Sequence, residues 1–191
     1  MVTDKLSHAR ALSRWCASAF GLAGALVISL AATLSAPAFA QTAPFASLIP
    51  NAQVVGSGLF RWWGFRVYEA SLWSPNGRYQ AGEPFALSLT YARALEGADI
   101  VDASLDQMRK LGLPVDRHPE WGPALSEVLV SVQSGDTLTG VYQPGEGAVF
   151  FFNERKTGEI DDRLAKAFFA IWLDPETSAP DLRQSLLGQS Q

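Results

Sequence analysis

The stretch from Phe85 to Arg93 constrains this chain more than any other. Its odd positions are large and apolar (Phe85, Leu87, Leu89, Tyr91) until Arg93, and its even positions are small or hydroxylic (Ala86, Ser88, Thr90). Side chains alternate across a strand, so this pattern describes a sheet with one packed face. The period then changes. Ile100, Ser104, Met108 and Leu111, flanked by Val101 and Leu105, recur at helical spacing. Asp99 is placed to cap that helix at its start and Gly112 at its end. A one-faced strand followed by a one-striped helix needs a layered architecture in which each buries the other.

The rest of the chain fits that requirement. Residues 41–52 read as a loose N-terminal arm. Gln53 to Trp62 and Phe65 to Trp73 are strands rich in aromatic and β-branched residues, separated near Trp63-Gly64. Ser74-Pro75-Asn76-Gly77 is a turn by composition. Trp121, Leu125, Val128 and Val132 suggest a second helix. Thr137 to Gln143 and Ala148 to Asn153 are strands joined by Pro144-Gly145-Glu146-Gly147. Asp162 to Leu173 forms a helix whose acidic start suits its positive end and which Asp174-Pro175 stops. A short last helix runs from Pro180 to Gly188. The expectation is one α+β domain over 53–188, an antiparallel β-sheet with helices packed on one face.

The first forty residues are of another kind. Lys5, Arg10 and Arg14 form a positive leader, an apolar run follows from Ala17, and Ala38-Phe39-Ala40 precedes Gln41. This is the layout of a signal peptide cleaved after Ala40, which predicts a periplasmic or secreted protein with no membrane span after cleavage. The alternative is an uncleaved anchor, since Ala17 to Leu34 approaches spanning length. The sole cysteine, Cys16, lies in the leader, so the remainder has no disulfide and no thiolate metal site. The leader also holds three of the 15 basic and one of the 19 acidic residues, leaving 12 against 18. An acidic domain with scattered cations carries no nucleic-acid footprint.

Catalytic signatures are missing. His118 is the single histidine outside the leader, in a Pro-flanked loop, and no histidine-based triad can be built without it. No His/Cys/Asp/Glu cluster has metal-ligand spacing, so no metal and no cofactor is expected. Gly56-Ser57-Gly58 lacks the third glycine of a dinucleotide loop, where Arg61 stands, and leads into a strand rather than a helix. Glu154, Glu159, Asp161 and Asp162 read as turn residues and helix-start charges. A two-residue turn at Trp63-Gly64 would place Arg61 opposite Arg66, an unfavourable like-charge pair. Water, a bulge at Gly64, a neighbouring acid such as Glu69 or a bound anion could each relieve it. Tyr68, Tyr91 and Arg93 are polar-tipped residues on strands that could share a sheet face. The tryptophans, Trp62, Trp63, Trp73, Trp121 and Trp172, could line a cavity or simply fill the core.

The run from Gly56 to Trp73, with its glycines, Arg61 and Val67-Tyr68-Glu69-Ala70-Ser71-Leu72-Trp73, resembles the chalcone isomerase-like family. Further matches are Leu89-Thr90-Tyr91 leading into Gly97-Ala98-Asp99-Ile100, then Gly135-Asp136-x-Leu138 and Phe150-Phe151-Phe152-Asn153. Gly158-Glu159-Ile160 and Phe168-Phe169-x-Ile171-Trp172-Leu173 complete a set covering residues 53–187. The resemblance implies a large antiparallel sheet layered with helices. It also implies an arginine at the site, for which Arg61 is the nearest match. The threonine, tyrosine and asparagine of the family's true isomerases fall near Trp63, Ile100 and Gln107, so their chemistry is not matched. Non-catalytic relatives that bind fatty acids keep the arginine, which pairs with a carboxylate. The resemblance therefore points to binding of a small apolar or amphipathic acid, with Arg61 or Arg66 at its anionic end and Trp63, Tyr68 and Tyr91 beside it. Two alternatives stand: an isomerase or lyase with unfamiliar partners, or a protein-interaction module with a filled core.

Overall fold

Six strands pair in chain order, each antiparallel to the next, in a computed structural model that describes residues 44–189. They are β1 (Ala52–Trp62), β2 (Phe65–Pro75), β3 (Phe85–Tyr91), β4 (Thr137–Gln143), β5 (Gly147–Phe152) and β6 (Arg155–Ile160). Helices α1 (Gly97–Lys110) and α2 (Trp121–Val128) lie between β3 and β4; α3 (Asp162–Leu173) and α4 (Pro180–Leu186) follow β6. The leader and the Ala40 cleavage position lie outside the described residues.

The alternation read from β3 sorts the two faces. Phe85, Leu87, Leu89 and Tyr91 join Leu138, Tyr142 and Phe150 in one core with Met108 of α1, Leu125 of α2, Leu164 and Phe168 of α3 and Leu186 of α4. All four helices therefore cover one face, as an α+β layer requires. On the opposite face Ser88 and Thr139 share a hydrogen bond of 2.9 Å and Thr90 and Thr137 one of 3.1 Å. Part of that second face is covered too. Phe45 and Ile49 of the N-terminal arm, expected to be loose, are buried against Ala86, Val141 and Phe151.

Several ends differ from the sequence expectation. β3 stops at Tyr91, so Arg93 lies beyond it. Asp99 sits in the first turn of α1, whose N-cap is Glu96. The first free amide there, Gly97 N–H, donates to Ser131 Oγ, and that hydroxyl donates to Glu96. This cap comes from 34 residues away, out of reach of any local signal. Gly112 ends α1 as expected, at φ +74°, with the Leu113 and Gly112 amides bonded back to Met108 and Arg109. Helix α2 stops at Val128, and Val132 instead bridges to Leu95. The sixth strand, read as turn residues, carries Arg155, Lys156 and Glu159; charge is what an edge strand bears to refuse further pairing. Asp161 caps α3, accepting from the amides of Arg163 and Leu164.

Gly56 and Gly58, set aside as a dinucleotide motif, have a packing role. A Cβ at Gly56 would lie 2.1 Å from the Ser185 carbonyl oxygen and one at Gly58 2.7 Å from Leu182. The two glycines let α4 close directly on β1.

Candidate ligand cavity

The helix-covered face is not filled throughout. A cavity of about 410 Å³ lies between the sheet and helices α1 and α3. Its floor is Phe60, Tyr68, Leu87, Leu89, Tyr91 and Leu138, with Phe150 beyond; its roof is Ile100, Ser104, Phe168 and Trp172. Gly140 contributes to this space: a Cβ there would come within 2.9 Å of the Phe169 ring that lies over it. The volume is within the range of small-molecule sites, and an apolar lining with few polar groups is their usual composition.

Those few polar groups are fixed. Phe60 stacks on Tyr68 at 5.0 Å, and Tyr68 meets Tyr91 edge-on at 5.8 Å. Trp172 Nε1 donates to the Tyr68 hydroxyl at 3.0 Å, tying the floor to α3. Burial raises both phenols well above the ordinary tyrosine value, for Tyr68 against the opposing effect of the Trp172 hydrogen bond, for Tyr91 with the added effect of Tyr68. Both are therefore neutral at physiological pH, with protons available to a ligand. The Tyr91 hydroxyl makes no hydrogen bond to another described residue. At the mouth stand Arg93, Asp99, Asp106, Gln107, Lys110 and Ser178. Ser178 Oγ donates to Gln107 Oε1 at 2.6 Å, and Asp106 is engaged by Arg109 at 2.8 Å. Arg93, by contrast, makes no ion pair with another described residue.

The sequence-derived site divides in two. Tyr68 and Tyr91 are cavity walls. Arg61, Trp63 and Arg66 are exposed on the β1–β2 hairpin tip, outside those walls. Arg61 does pair with Arg66 across the ladder, and the Arg61 guanidinium donates to the Gly64 carbonyl at 3.3 Å. The opposed charges are tolerated in water, as one of the four readings allows. The strand bulge lies at Val67 rather than Gly64, where the register slips between Phe60 and Arg61, and it leaves the two arginines opposite each other. His118 is remote, stacked on Trp121 and bonded to Glu120. Among the described residues no group of three or more His, Cys, Asp or Glu could hold a metal ion.

Residues 50–188 match the model of a family described as chalcone isomerase-like. The chain belongs to the chalcone isomerase-like family. A fatty-acid binding protein of Arabidopsis thaliana has the same chalcone isomerase-like fold, with a TM-score of 0.58 at 11% identity, over 73% of this chain and 88% of that one. An uncharacterized protein of Haemophilus influenzae is 27% identical over 154 residues, 80% of this chain and 74% of its own length. Within the chalcone isomerase-like frame, two positions carried over from the family isomerases, Ile100 and Gln107, do line the cavity, whereas Arg61 and Trp63 do not. Sequence reasoning missed Lys110 and Ser178 at the mouth, and placed Arg93 on a strand. Their common signal, polarity at or beyond the end of an amphipathic element, does not distinguish a cavity rim from ordinary surface.

Proposed function

We propose that this chalcone isomerase-like chain is an exported, non-catalytic binder of a small amphipathic acid such as a fatty acid. The observation that carries this reading is the apolar cavity itself, with two neutral phenols in its floor and, at its mouth, an arginine that makes no ion pair with another described residue. The apolar body of the ligand occupies the space under α1 and α3. Its carboxylate meets Arg93, a charge-assisted hydrogen bond, with a tyrosine hydroxyl as second donor. Fatty-acid binding by the Arabidopsis neighbour supports the same class of ligand. Isomerisation is disfavoured by side-chain chemistry: the tyrosine position of the family isomerases falls near Ile100, and an alkyl group polarises no carbonyl. A filled-core interaction module is disfavoured by the cavity. The leader, with Lys5, Arg10 and Arg14 ahead of an apolar run, supports export.

The test is displacement of a fluorescent fatty acid from the purified protein by dodecanoate and hexadecanoate. Saturable, stoichiometric displacement is expected. Ile100→Trp, which places an indole in the cavity, should abolish it, and Arg93→Ala should weaken it roughly tenfold, about 1.4 kcal/mol. If Arg61→Ala weakens binding and Arg93→Ala does not, the carboxylate is held at the hairpin tip instead. No displacement by either acid, or full binding by Ile100→Trp, refutes the cavity reading. An N-terminal sequence beginning at Gln41 in protein recovered from the host would establish processing.

A further inference from the structure

The β1–β2 hairpin outruns the sheet. Its pairing with β3 begins at Tyr68, so Arg61 to Arg66 are paired only with each other and project beyond the neighbouring strand. Three large aromatics crowd this tip and face water: Trp62 is 57% exposed, Trp63 85% and Phe65 69%. None of the three gains much from folding, and one works against it. Trp63 holds φ +50° and Gly64 φ +82°, the two left-handed positions of a tight hairpin turn. Asn-Gly is the pair such turns favour, and a bulky residue at the first position is strained there. A strained, solvent-facing indole contributes little to the fold and is open to a partner outside the domain. The tip contains two arginines and no acid, on a chain whose net charge is −4.

We infer that this hairpin tip is a membrane-docking device that seats among the headgroups of a bilayer carrying anionic lipid. Indole and phenyl rings partition to the headgroup boundary, where the Trp N–H still finds a polar partner. Arg61 and Arg66 flank them as partners for lipid phosphates, opposite in sign to the rest of the acidic surface. Shape favours lipid over a protein: a narrow convex turn inserts between headgroups but offers little of the broad patch a stable protein interface buries. Docking by this tip also sets the cavity at the membrane, because Trp62 belongs to both the tip and the cavity wall. The inference rests on the hairpin alone and stands whether or not the cavity takes a fatty acid.

The experiment is co-sedimentation of the protein, purified as its host processes it, with two kinds of vesicle. One is phosphatidylethanolamine with phosphatidylglycerol, the other phosphatidylcholine alone. The comparison variant is Trp63→Asn/Phe65→Thr, which installs a favoured turn residue and a strand former and so keeps the hairpin. Hydrogen exchange at residues 61–66 is followed with and without vesicles. Expected are binding to the anionic vesicles, weaker binding to the neutral ones and at high salt, and slowed exchange at the tip. The double variant should partition roughly tenfold less. Unchanged exchange at 61–66, or equal binding by the double variant, overturns the inference. So does a lipid-free dimer that the double variant dissolves, which would assign the tip to a second copy of the chain.

Discussion

Replacing Gly56 by alanine should detach α4 from β1, and the geometry sets the size of the effect. The new Cβ would lie 2.1 Å from the Ser185 carbonyl oxygen, 2.8 Å from that of Leu186 and 2.9 Å from the Gly188 nitrogen. All three are backbone atoms, so no rotamer change relieves the contact. Ordinary non-bonded separation is roughly 3.5 Å, so the helix must retreat by on the order of 1 Å. Helix α4 is anchored by Leu182 and Leu186, both buried. Fully burying two leucines is worth ~3–6 kcal/mol. A gap of that width forfeits about a quarter to a half of their packing, which gives ~1–3 kcal/mol. Overpacking strain measured in cores generally spans the same ~1–3 kcal/mol. The expected loss is therefore about 2 kcal/mol, or a Tm lower by roughly 4–8 °C for a domain of this size. Urea unfolding followed by circular dichroism, with calorimetry alongside, reads both quantities. Gly122→Ala is the control, because beyond its chain neighbours and its own helix backbone its Cβ meets Leu105 Cδ1 at an ordinary 3.6 Å, and the change should stay within ~0.5 kcal/mol of the parent. Stability of Gly56→Ala within ~0.5 kcal/mol of the parent, or an equal fall for Gly122→Ala, would refute the close-approach explanation.

Two further outcomes are expected. Tyr68→Phe leaves the Trp172 indole N–H without its acceptor; unfolding should cost ~1–3 kcal/mol less, read by the same urea titration, unless a ligand carboxylate restores the partner. Asp162 accepts from Lys166 Nζ, the Tyr142 hydroxyl and the Gly145 amide, and the Lys166 contact foremost holds its carboxyl below the ordinary value. A depressed carboxylate contributes stability above its unfolded value, about 4, and that contribution is lost as pH falls through the lower folded value. Tm measured from about pH 6 down to pH 3 should fall less steeply for Asp162→Asn than for the parent, from a lower starting point.

Much of the layered fold is local information. The alternation at Phe85–Tyr91, the helical stripe at Ile100–Leu111, the aspartates at the start of α3 and the turn at Trp63-Gly64 each state their own structure. The misreadings share a cause. The cap of α1 comes from Ser131, the role of Gly56 from α4, and the burial of Phe45 and Ile49 from the far face of the sheet. Each depends on a segment distant in sequence. β6 was missed because an edge strand with charged side chains lacks the apolar alternation that marks an inner one.

The site divides along the same line. That Tyr68 and Tyr91 lie on neighbouring strands with their polar tips on one face follows from strand periodicity, and their direct pairing agrees. That Arg61 opposes Arg66 follows from the length of the turn. Whether aromatic residues enclose a space or fill it is another matter, because a cavity is the difference between the volume two layers surround and the volume their side chains occupy. Only the tertiary structure shows that a space stays open between the sheet and helices α1 and α3, where Gly140 contributes no bulk. Only it puts Arg93 at the mouth and Arg61 on a tip in water. Periodicity assigns a residue to a face, but the distance between faces is decided when the layers pack.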